Sequence, residues 1–284
     1  MSRVLLAFAF GAALQAAAQA QTRAPQSASS RTVLSTVTDN RNRPIVEFGP
    51  DDFVVREAGQ PREVLTVRVA DYPIAVVLDN GLGSARDFDA IRGAAARFVG
   101  RVGHRPVAIV SSDPPRLVST FDDERAVVLE RLEGLKAGAS AGGLFQAIVN
   151  AATTIQETGT PFSAVVVLSS GTTSEVPTEF LTPILDSGTA VHSVFKRTVG
   201  ESGGTEAART GDALRTLAGE THGQFTTVYA TASFQAALDN LADRMAREIM
   251  VEYLIPAGSA TGNDVQLGVR IPGARVNGLG VSSR

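Results

Sequence analysis

A short apolar run that ends on a single acidic residue constrains this chain more than any other feature. Residues 74–78 are all apolar, Asp79 follows directly, and the turn Gly81-Leu82-Gly83 leads into an amphipathic segment. This order predicts a buried strand, a tight turn and a helix, with a carboxylate at the carboxyl end of the strand. Open α/β sheets bind their ligands at that edge. The sequence therefore predicts an α/β domain with a candidate binding site around Asp79.

Residues 72–250 repeat this alternation of apolar and amphipathic runs. The predicted strands are 74–78, 107–111, 116–120, 164–168, 191–195 and 224–229, and the predicted helices are 85–102, 123–135, 144–157, 178–186, 206–219 and 232–249. This alternation favours a doubly wound, mostly parallel six-stranded sheet with helices on both faces. The short link Asp113-Pro114-Pro115 predicts that the third strand is an antiparallel edge strand. Ser84 and Asp87 are expected to form a capping box at the start of the first helix.

Short β segments flank this region on both sides. Three of them, 32–38, 53–57 and 63–70, precede it, and three more, 251–255, 264–271 and 274–281, follow it. So few short strands cannot bury a core alone. We therefore expect the N-terminal β unit, residues 32–71, to pack with the C-terminal β segments, residues 251–284. The α/β domain, residues 72–250, is then inserted within a small β-sandwich.

The first residues indicate export. Arg3 is the only charged residue among the first 20, residues 4–18 are apolar and rich in alanine, and Ala18-Gln19-Ala20 has the pattern of a cleavage site. These features predict a signal peptide over residues 1–20, and the polar stretch that follows predicts a flexible leader over 21–31. An uncleaved membrane anchor is the alternative, although the apolar run is too short to cross a bilayer. We expect a periplasmic or secreted protein with no membrane span after cleavage.

Charge and composition exclude several classes of partner. Removing Arg3 from the 26 basic residues leaves 25 against 29 acidic ones, without a basic stripe, so we expect no nucleic acid and no anionic membrane. The chain has no cysteine, which excludes disulfides and thiolate metal ligands. A dinucleotide loop would need a third glycine where Arg86 stands, and Asp79 would repel a pyrophosphate. We therefore expect no nucleotide.

Three loops are expected to meet at the carboxyl edge of the sheet, namely 79–84, 139–147 and 168–173. Together with residues 51–61, which have the form D-D-F-x-V-x-E-x-G, they resemble the von Willebrand factor A family. More narrowly, the chain is similar to an exported bacterial branch in which such a β unit precedes the A domain. The resemblance covers roughly residues 32–256, and it implies the doubly wound fold and a role in protein binding.

The resemblance also implies where a metal-ion-dependent adhesion site would lie. In the family, an Asp-x-Ser-x-Ser loop, a threonine and a second aspartate hold Mg²⁺, and a partner's acidic residue completes the shell. The matching positions here are Asp79, Gly81, Gly83, Gly142 (with Ser140 close by) and Ser170. Mg²⁺ requires six oxygen ligands, and only one carboxylate remains, so we expect no cofactor, or weak Mg²⁺ binding at most. Asp79 is then expected to be a structural cap, held by the glycine turn and the first helix.

These observations predict a non-catalytic, exported module with a degenerate adhesion site. It would recognise a protein partner in the cell envelope or outside through backbone groups, hydroxyls and shape. The candidate residues that form the rim of this site are Asp79, Gly81, Gly83, Ser84, Ser140, Gly142, Ser169, Ser170 and Thr172, with the glycine-rich segment 198–206 near its edge.

Two alternatives remain open. The first is a structural envelope scaffold whose β flanks mediate assembly. The second is a serine hydrolase that uses Ser169 or Ser170. It is less favoured because its histidines, His104, His192 and His222, each have a structural explanation.

Overall fold

Three β-sheets and six α-helices form the described part of the chain. The computed structural model describes residues 28–45, 47–141, 143–171, 178–197, 206–262 and 264–282. The strands are β1 (Ser29–Thr38), β2 (Phe53–Glu57), β3 (Gln60–Arg62), β4 (Val64–Val69), β5 (Ile74–Leu78), β6 (Val107–Ser112), β7 (Pro115–Ser119), β8 (Ala164–Ser169), β9 (Ala190–Lys196), β10 (Phe225–Val228), β11 (Glu248–Ile255), β12 (Val265–Val269) and β13 (Arg275–Val281). The helices are α1 (Phe88–Arg101), α2 (Arg125–Gly134), α3 (Leu144–Gln156), α4 (Leu181–Asp186), α5 (Glu206–Glu220) and α6 (Ser233–Met245). The predicted signal peptide lies outside the described residues.

The central sheet has six strands in the order β10-β9-β8-β5-β6-β7. All neighbours are parallel except β7, which pairs with β6 in the antiparallel sense at the edge. Helices α1, α2 and α6 cover one face, and α3, α4 and α5 cover the other. Because both faces are covered, every residue of β5 is buried and its sequence is continuously apolar. The predicted doubly wound fold is confirmed.

The two β flanks form a sandwich beside this sheet. A four-stranded sheet, β13-β1-β11-β4, packs on a three-stranded sheet, β12-β2-β3. Strand β1 from the N-terminal flank pairs with β11 and β13 from the C-terminal flank, and β2 pairs with β12. Their shared core includes Val33, Phe53, Val55, Val251 and Tyr253. The flanks thus bury together the apolar surface that neither could cover alone.

Several predicted boundaries were wrong. Strand β1 begins at Ser29, so residues 29–31 belong to a strand rather than to a leader, and Arg31 pairs there with the buried Glu57. Helix α6 ends at Met245 instead of 249, because residues from Glu248 onwards are buried in β11. The β flank therefore begins before the predicted boundary at residue 251.

The capping box predicted for Ser84 and Asp87 is also absent. Helix α1 begins at Phe88, and the side chain of Asp87 forms no cap hydrogen bond to it. A 3₁₀ turn, Leu82–Ser84, comes before it. Both side chains are engaged elsewhere, Ser84 by Asp79 and Asp87 by Lys196.

A buried polar cluster joins the α/β unit to the sandwich. The Tyr72 hydroxyl donates to Glu248 Oε2 (2.6 Å), and Arg105 Nη2 lies 3.4 Å from the same oxygen. The Arg105 guanidinium also stacks on the Tyr72 ring, 4.3 Å from its centroid. Burial raises the pKa of both Tyr72 and Glu248 above their ordinary values. The chain passes between the two units at residues 70–73 and at residues 246–247. The bond between Tyr72 and Glu248 therefore joins these two connecting segments.

Candidate functional site

Asp79 lies at the carboxyl end of the central strand β5 and is only 5% exposed. Its Oδ2 accepts hydrogen bonds from the hydroxyls of Ser84 (2.8 Å) and Ser169 (2.6 Å). Its Oδ1 accepts from the Ser112 hydroxyl (3.0 Å) and the Gly81 amide (3.3 Å). Four donors, two from the 79–84 loop and one each from the ends of β6 and β8, therefore surround one carboxylate. Hydroxyls, rather than the glycine turn and helix α1, provide most of this support.

The hydroxyl oxygen of each of the three serines accepts a hydrogen bond from a backbone amide. Asn80 N donates to Ser112 Oγ (3.1 Å), Ser170 N donates to Ser84 Oγ (3.2 Å), and Gly171 N donates to Ser169 Oγ (3.3 Å). A hydroxyl that accepts a backbone amide still has its own proton to donate. The network directs these protons to the Asp79 carboxylate.

The resemblance placed the second acid on Ser170, but Ser169 is the residue whose side chain reaches Asp79. Ser170 lies beside Asp87, and it is among the groups that influence the pKa of that carboxyl. Although burial raises the pKa of Asp87, hydrogen bonds from Lys196 Nζ (2.7 Å) and Thr231 Oγ1 (2.6 Å) hold it below its usual range. Asp87 therefore joins the start of α1 to the ends of β9 and β10.

Ser140 does not reach Asp79 either. Its amide and hydroxyl both donate to the Asp113 carboxylate, at 2.9 and 2.5 Å, and these bonds hold the pKa of Asp113 below its usual range. The Ser140 carbonyl accepts the Leu82 amide (2.7 Å), so the first and second loops are joined through their backbones. Gly142, Thr172 and residues 198–205, all predicted near the site, lie outside the described residues.

Asn80 lies in the predicted 79–84 loop but was given no role there, and Ser112 was not among the predicted site residues. Asn80 is 1% exposed, and its amide donates to the carbonyls of Asp113 (2.8 Å) and Lys136 (3.0 Å). Its Oδ1 accepts the backbone amides of Ser112 (2.9 Å) and Asp113 (2.8 Å). Asn80 thus fixes two loops to the end of β5. Ser112 was overlooked because the predicted strand ended one residue too early.

Two large apolar side chains stand out from this hydrogen-bonded rim. Leu82, between Gly81 and Gly83, and Tyr229, which follows β10, are each 62% exposed. Both lie at the carboxyl edge of the parallel sheet, where β5 and β10 end. The backbone beside Leu82 is fixed by its bond to Ser140 and by the bond from Ser84 N to Gly81 O (2.9 Å). The rim therefore presents apolar groups on a rigid support.

The described part of the rim offers little for metal or nucleophilic chemistry. In the ranges that the structure describes, no three His, Cys, Asp or Glu side chains converge as a metal site. Ser169 donates its proton to Asp79, and no described histidine bonds to Ser169 or Ser170. His104 and His222 are exposed. His192 is buried in β9, where its Nδ1 accepts the Gln224 amide (3.0 Å).

None of the helices in the described ranges is long and apolar enough to cross a bilayer.

No protein-family model matches the chain, and no curated protein matches it. Solved structures do. A von Willebrand factor type A protein from Catenulispora acidiphila superposes with a TM-score of 0.52 at 12% identity, covering 92% of this chain and 74% of that one. Proximal thread matrix protein 1 of the mussel byssus gives a TM-score of 0.52 at 12% identity, covering 67% of this chain and 50% of that one.

The pilus adhesin SpaC from Lactobacillus rhamnosus GG gives a TM-score of 0.51 at 8% identity, covering 84% of this chain and 48% of that one. This chain therefore spans about half of the mussel protein and of SpaC. At these identities the likeness concerns the fold alone. The α/β unit of this chain has the von Willebrand factor A fold.

Proposed function

We propose that this chain is a non-catalytic module that binds a protein partner at the rim, without a bridging metal ion. The observation that carries the proposal is the exposed Leu82, held on a backbone that hydrogen bonds fix beside a fully engaged Asp79. A rigid loop that shows an apolar side chain to solvent is suited to protein contact, because little conformational entropy is lost on binding.

The state of Asp79 argues against a metal bridge. Each of its oxygens already accepts two hydrogen bonds, and the positions that would supply further ligands are Gly81, Gly83 and Ser170. Mg²⁺ dehydrates reluctantly and requires six oxygens in near-octahedral order. One carboxylate surrounded by hydroxyl donors offers it too little charge. The degenerate adhesion site is thus a structural support, and recognition takes place around it.

Leu82 and Tyr229 are the proposed contact residues. Strands β5 and β10 are three strand spacings apart, so the strand ends that lead to these two residues are separated by roughly 14 Å. That span fits within a protein interface of ordinary size. Buried aromatic and aliphatic anchors carry most of the binding energy in such interfaces, and tyrosine is enriched among them.

We also propose that the partner is met in the cell envelope or outside the cell. The predicted signal peptide supports export, and SpaC, which shares the fold, is a pilus adhesin. The fold supports no particular chemistry, and the Ser169 hydroxyl is engaged by Asp79 rather than by a histidine. A catalytic role is therefore not proposed.

Site-specific cross-linking in the native host tests this function. The photo-cross-linking residue p-benzoylphenylalanine is placed at Leu82 and, as a matched control, at Leu279, which is 41% exposed on β13 of the sandwich. We expect a discrete cross-linked protein from position 82 that persists in EDTA. Cross-links from position 279 alone would favour the scaffold alternative. Loss of the position 82 product in EDTA would refute the metal-free mode.

A further inference from the structure

A groove of about 850 Å³ lies between the two units, at the amino-terminal edge of the parallel sheet. One wall comes from β1 and β13, including Leu34 and Leu279, and the other comes from the segments that precede β8 and β9. His192 and Arg244 also line it. Volumes in this range suit small-molecule ligands, and such clefts often lie between structural units. The rim is at the opposite end of the sheet, so the groove is independent of the proposed function.

Arg244 in this groove has far fewer partners than its chemistry allows. A guanidinium has five N–H donors. Within the described part of the chain, the Arg244 side chain forms one hydrogen bond, from its Nη2 to His192 Nδ1 (3.1 Å). No described carboxylate lies within 4 Å of its guanidinium nitrogens. Its Nε is buried and has no hydrogen-bond partner among the described residues. A half-buried charge with so little support is costly.

Arg125 provides a comparison within the same fold. It is also half-buried and also lacks a carboxylate partner among the described residues, but it donates to the carbonyls of Val99 (2.8 Å), Gly103 (2.8 Å) and Arg105 (2.6 Å). Backbone oxygens therefore satisfy the Arg125 guanidinium without a carboxylate. The Arg244 side chain donates to no carbonyl among the described residues, and it lines the groove.

His192 is fixed as a neutral hydrogen-bond donor. Its Nδ1 accepts from both Gln224 N (3.0 Å) and Arg244, and arginine cannot give up its proton, so the ring proton is assigned to Nε2. Burial and the charge of Arg244 lower the pKa of His192 to about 3. The groove thus contains a cationic fork and a neutral N–H donor on neighbouring side chains.

Two carboxylates and a second histidine also line the groove. Glu248 accepts a hydrogen bond from Tyr72 and lies beside Arg105, and the charge of Arg244 also acts on its carboxyl. Asp186 and His222 are exposed at the mouth, where solvent screens their charge. Arg244 in the groove and Arg105 beside it thus set two guanidinium groups against the one buried carboxylate of Glu248. One positive charge remains for a ligand to match.

We propose that this groove binds a carboxylate whose apolar tail packs against Leu34, Phe162 and Leu279. A planar carboxylate matches the guanidinium fork and can accept two N–H groups at once. Such a group is carried by a short fatty acid or by the C-terminus of a peptide with an apolar last residue.

Chemical-shift titration of the ¹⁵N-labelled protein tests the site. The probes are hexanoate and N-acetyl-alanyl-leucine. Each is compared with the carboxamide made from it, which has nearly the same shape but no charge. We expect the two acids to shift the backbone amide signals of His192, Ala190 and Gly280. The uncharged carboxamide forms of the probes should bind at least about tenfold more weakly. Saturation by hexanoate alone assigns a small acid, and saturation by the dipeptide alone assigns a peptide terminus.

Two variants test whether binding of the acid depends on Arg244 itself or on any positive charge nearby. Arg244→Gln should weaken binding of the acid at least about tenfold, whereas Arg247→Gln, at an exposed position on the same turn, should leave it unchanged. If Arg244→Gln does not fold, Arg244→Lys keeps the charge without the fork and should still weaken binding. Equal binding of acid and amide, or no shifts with any probe up to its solubility limit, would overturn the proposal, and neither result bears on the rim.

Discussion

The Ser169 hydroxyl donates to Asp79 Oδ2 across 2.6 Å and so joins the ends of two neighbouring parallel strands, β8 and β5. Asp79 is held by the same kind of bond from Ser112 at the end of β6, on its other side. In this fold the carboxylate at the centre of the sheet acts as a structural junction.

Removing a hydroxyl from the Asp79 network should destabilise the protein. Ser169→Ala and Ser112→Ala each leave a buried carboxylate with one donor fewer, and each should lower the free energy of unfolding by about 1–3 kcal/mol. Urea unfolding followed by circular dichroism measures this. Ser35→Ala is the control, because the Ser35 hydroxyl is buried with no hydrogen-bond partner among the described residues. That variant should be neutral or stabilising, and equal losses at all three positions would contradict the network.

Close packing around Asp79 should make Gly171 intolerant of a side chain. A Cβ there would lie 2.7 Å from Ser84 Oγ, 2.9 Å from the Gly83 carbonyl carbon and 3.0 Å from Asp79 Oδ2. We expect Gly171→Ala to lower the free energy of unfolding by about 1–3 kcal/mol.

The matched control for that substitution is Gly93→Ala. A Cβ on Gly93, in helix α1, meets nothing within 4 Å. This variant should raise the free energy of unfolding by about 0.5–1 kcal/mol, because alanine favours the helix. Thermal unfolding should therefore shift in opposite directions for the two variants, and a shift in the same direction would argue against the packing at Asp79.

His192 should make the protein less stable in mild acid. Burial lowers its pKa to about 3 from an ordinary 6.5, so the unfolded chain binds a proton more readily between these values. The contribution of neutral His192 to the free energy of unfolding is fully present above pH 6.5 and is lost as the pH falls towards 3. At pH 5 the loss amounts to about 2 kcal/mol.

The variant His192→Asn isolates this contribution. Asparagine keeps an acceptor for the Gln224 amide but cannot take up a proton. Between pH 7.5 and pH 5 the stability of the variant should therefore improve relative to the wild type by about 2 kcal/mol. Parallel curves for the two proteins in urea unfolding across this range would show that His192 does not titrate as described.

The junction between the two units should depend on the Tyr72 hydroxyl. Tyr72→Phe removes the 2.6 Å bond to the buried Glu248 and should lower the free energy of unfolding by about 1–3 kcal/mol. Tyr229→Phe removes a hydroxyl from a side chain that is 62% exposed, and it should leave stability unchanged. Similar unfolding midpoints for both variants would indicate that the junction contributes little.

Sequence patterns predicted the strands and helices well because each pattern lies within a short stretch of the chain. The central strand was predicted with its observed limits, since its continuous apolar run is bounded by Pro73 and Asp79. The pairing of the two β flanks followed from the need of short strands for partners. Periodicity and turn chemistry decide the limits of the strands and helices, and both are visible within a dozen residues.

The site was less accessible from sequence because its contacts are between distant residues. Asp87 was read as a cap for α1, but its partner Lys196 lies 109 positions away. Ser169 and Ser170 both follow an apolar run, and only the tertiary structure shows which hydroxyl reaches Asp79. Asn80 has the sequence context of an ordinary turn residue, and only the tertiary structure brings two loops onto its side chain.

Binding of Mn²⁺ observed by NMR tests the metal-free rim most directly. Mn²⁺ accepts the same oxygen ligands as Mg²⁺, and its paramagnetism broadens the signals of nearby amides. With four hydrogen-bond donors already on Asp79, we expect no selective broadening of the amides of Asp79, Gly81 and Ser169 at millimolar MnCl₂. Selective loss of these signals at micromolar MnCl₂, reversed by excess MgCl₂, would show that the rim holds a cation and would contradict the proposed mode of recognition.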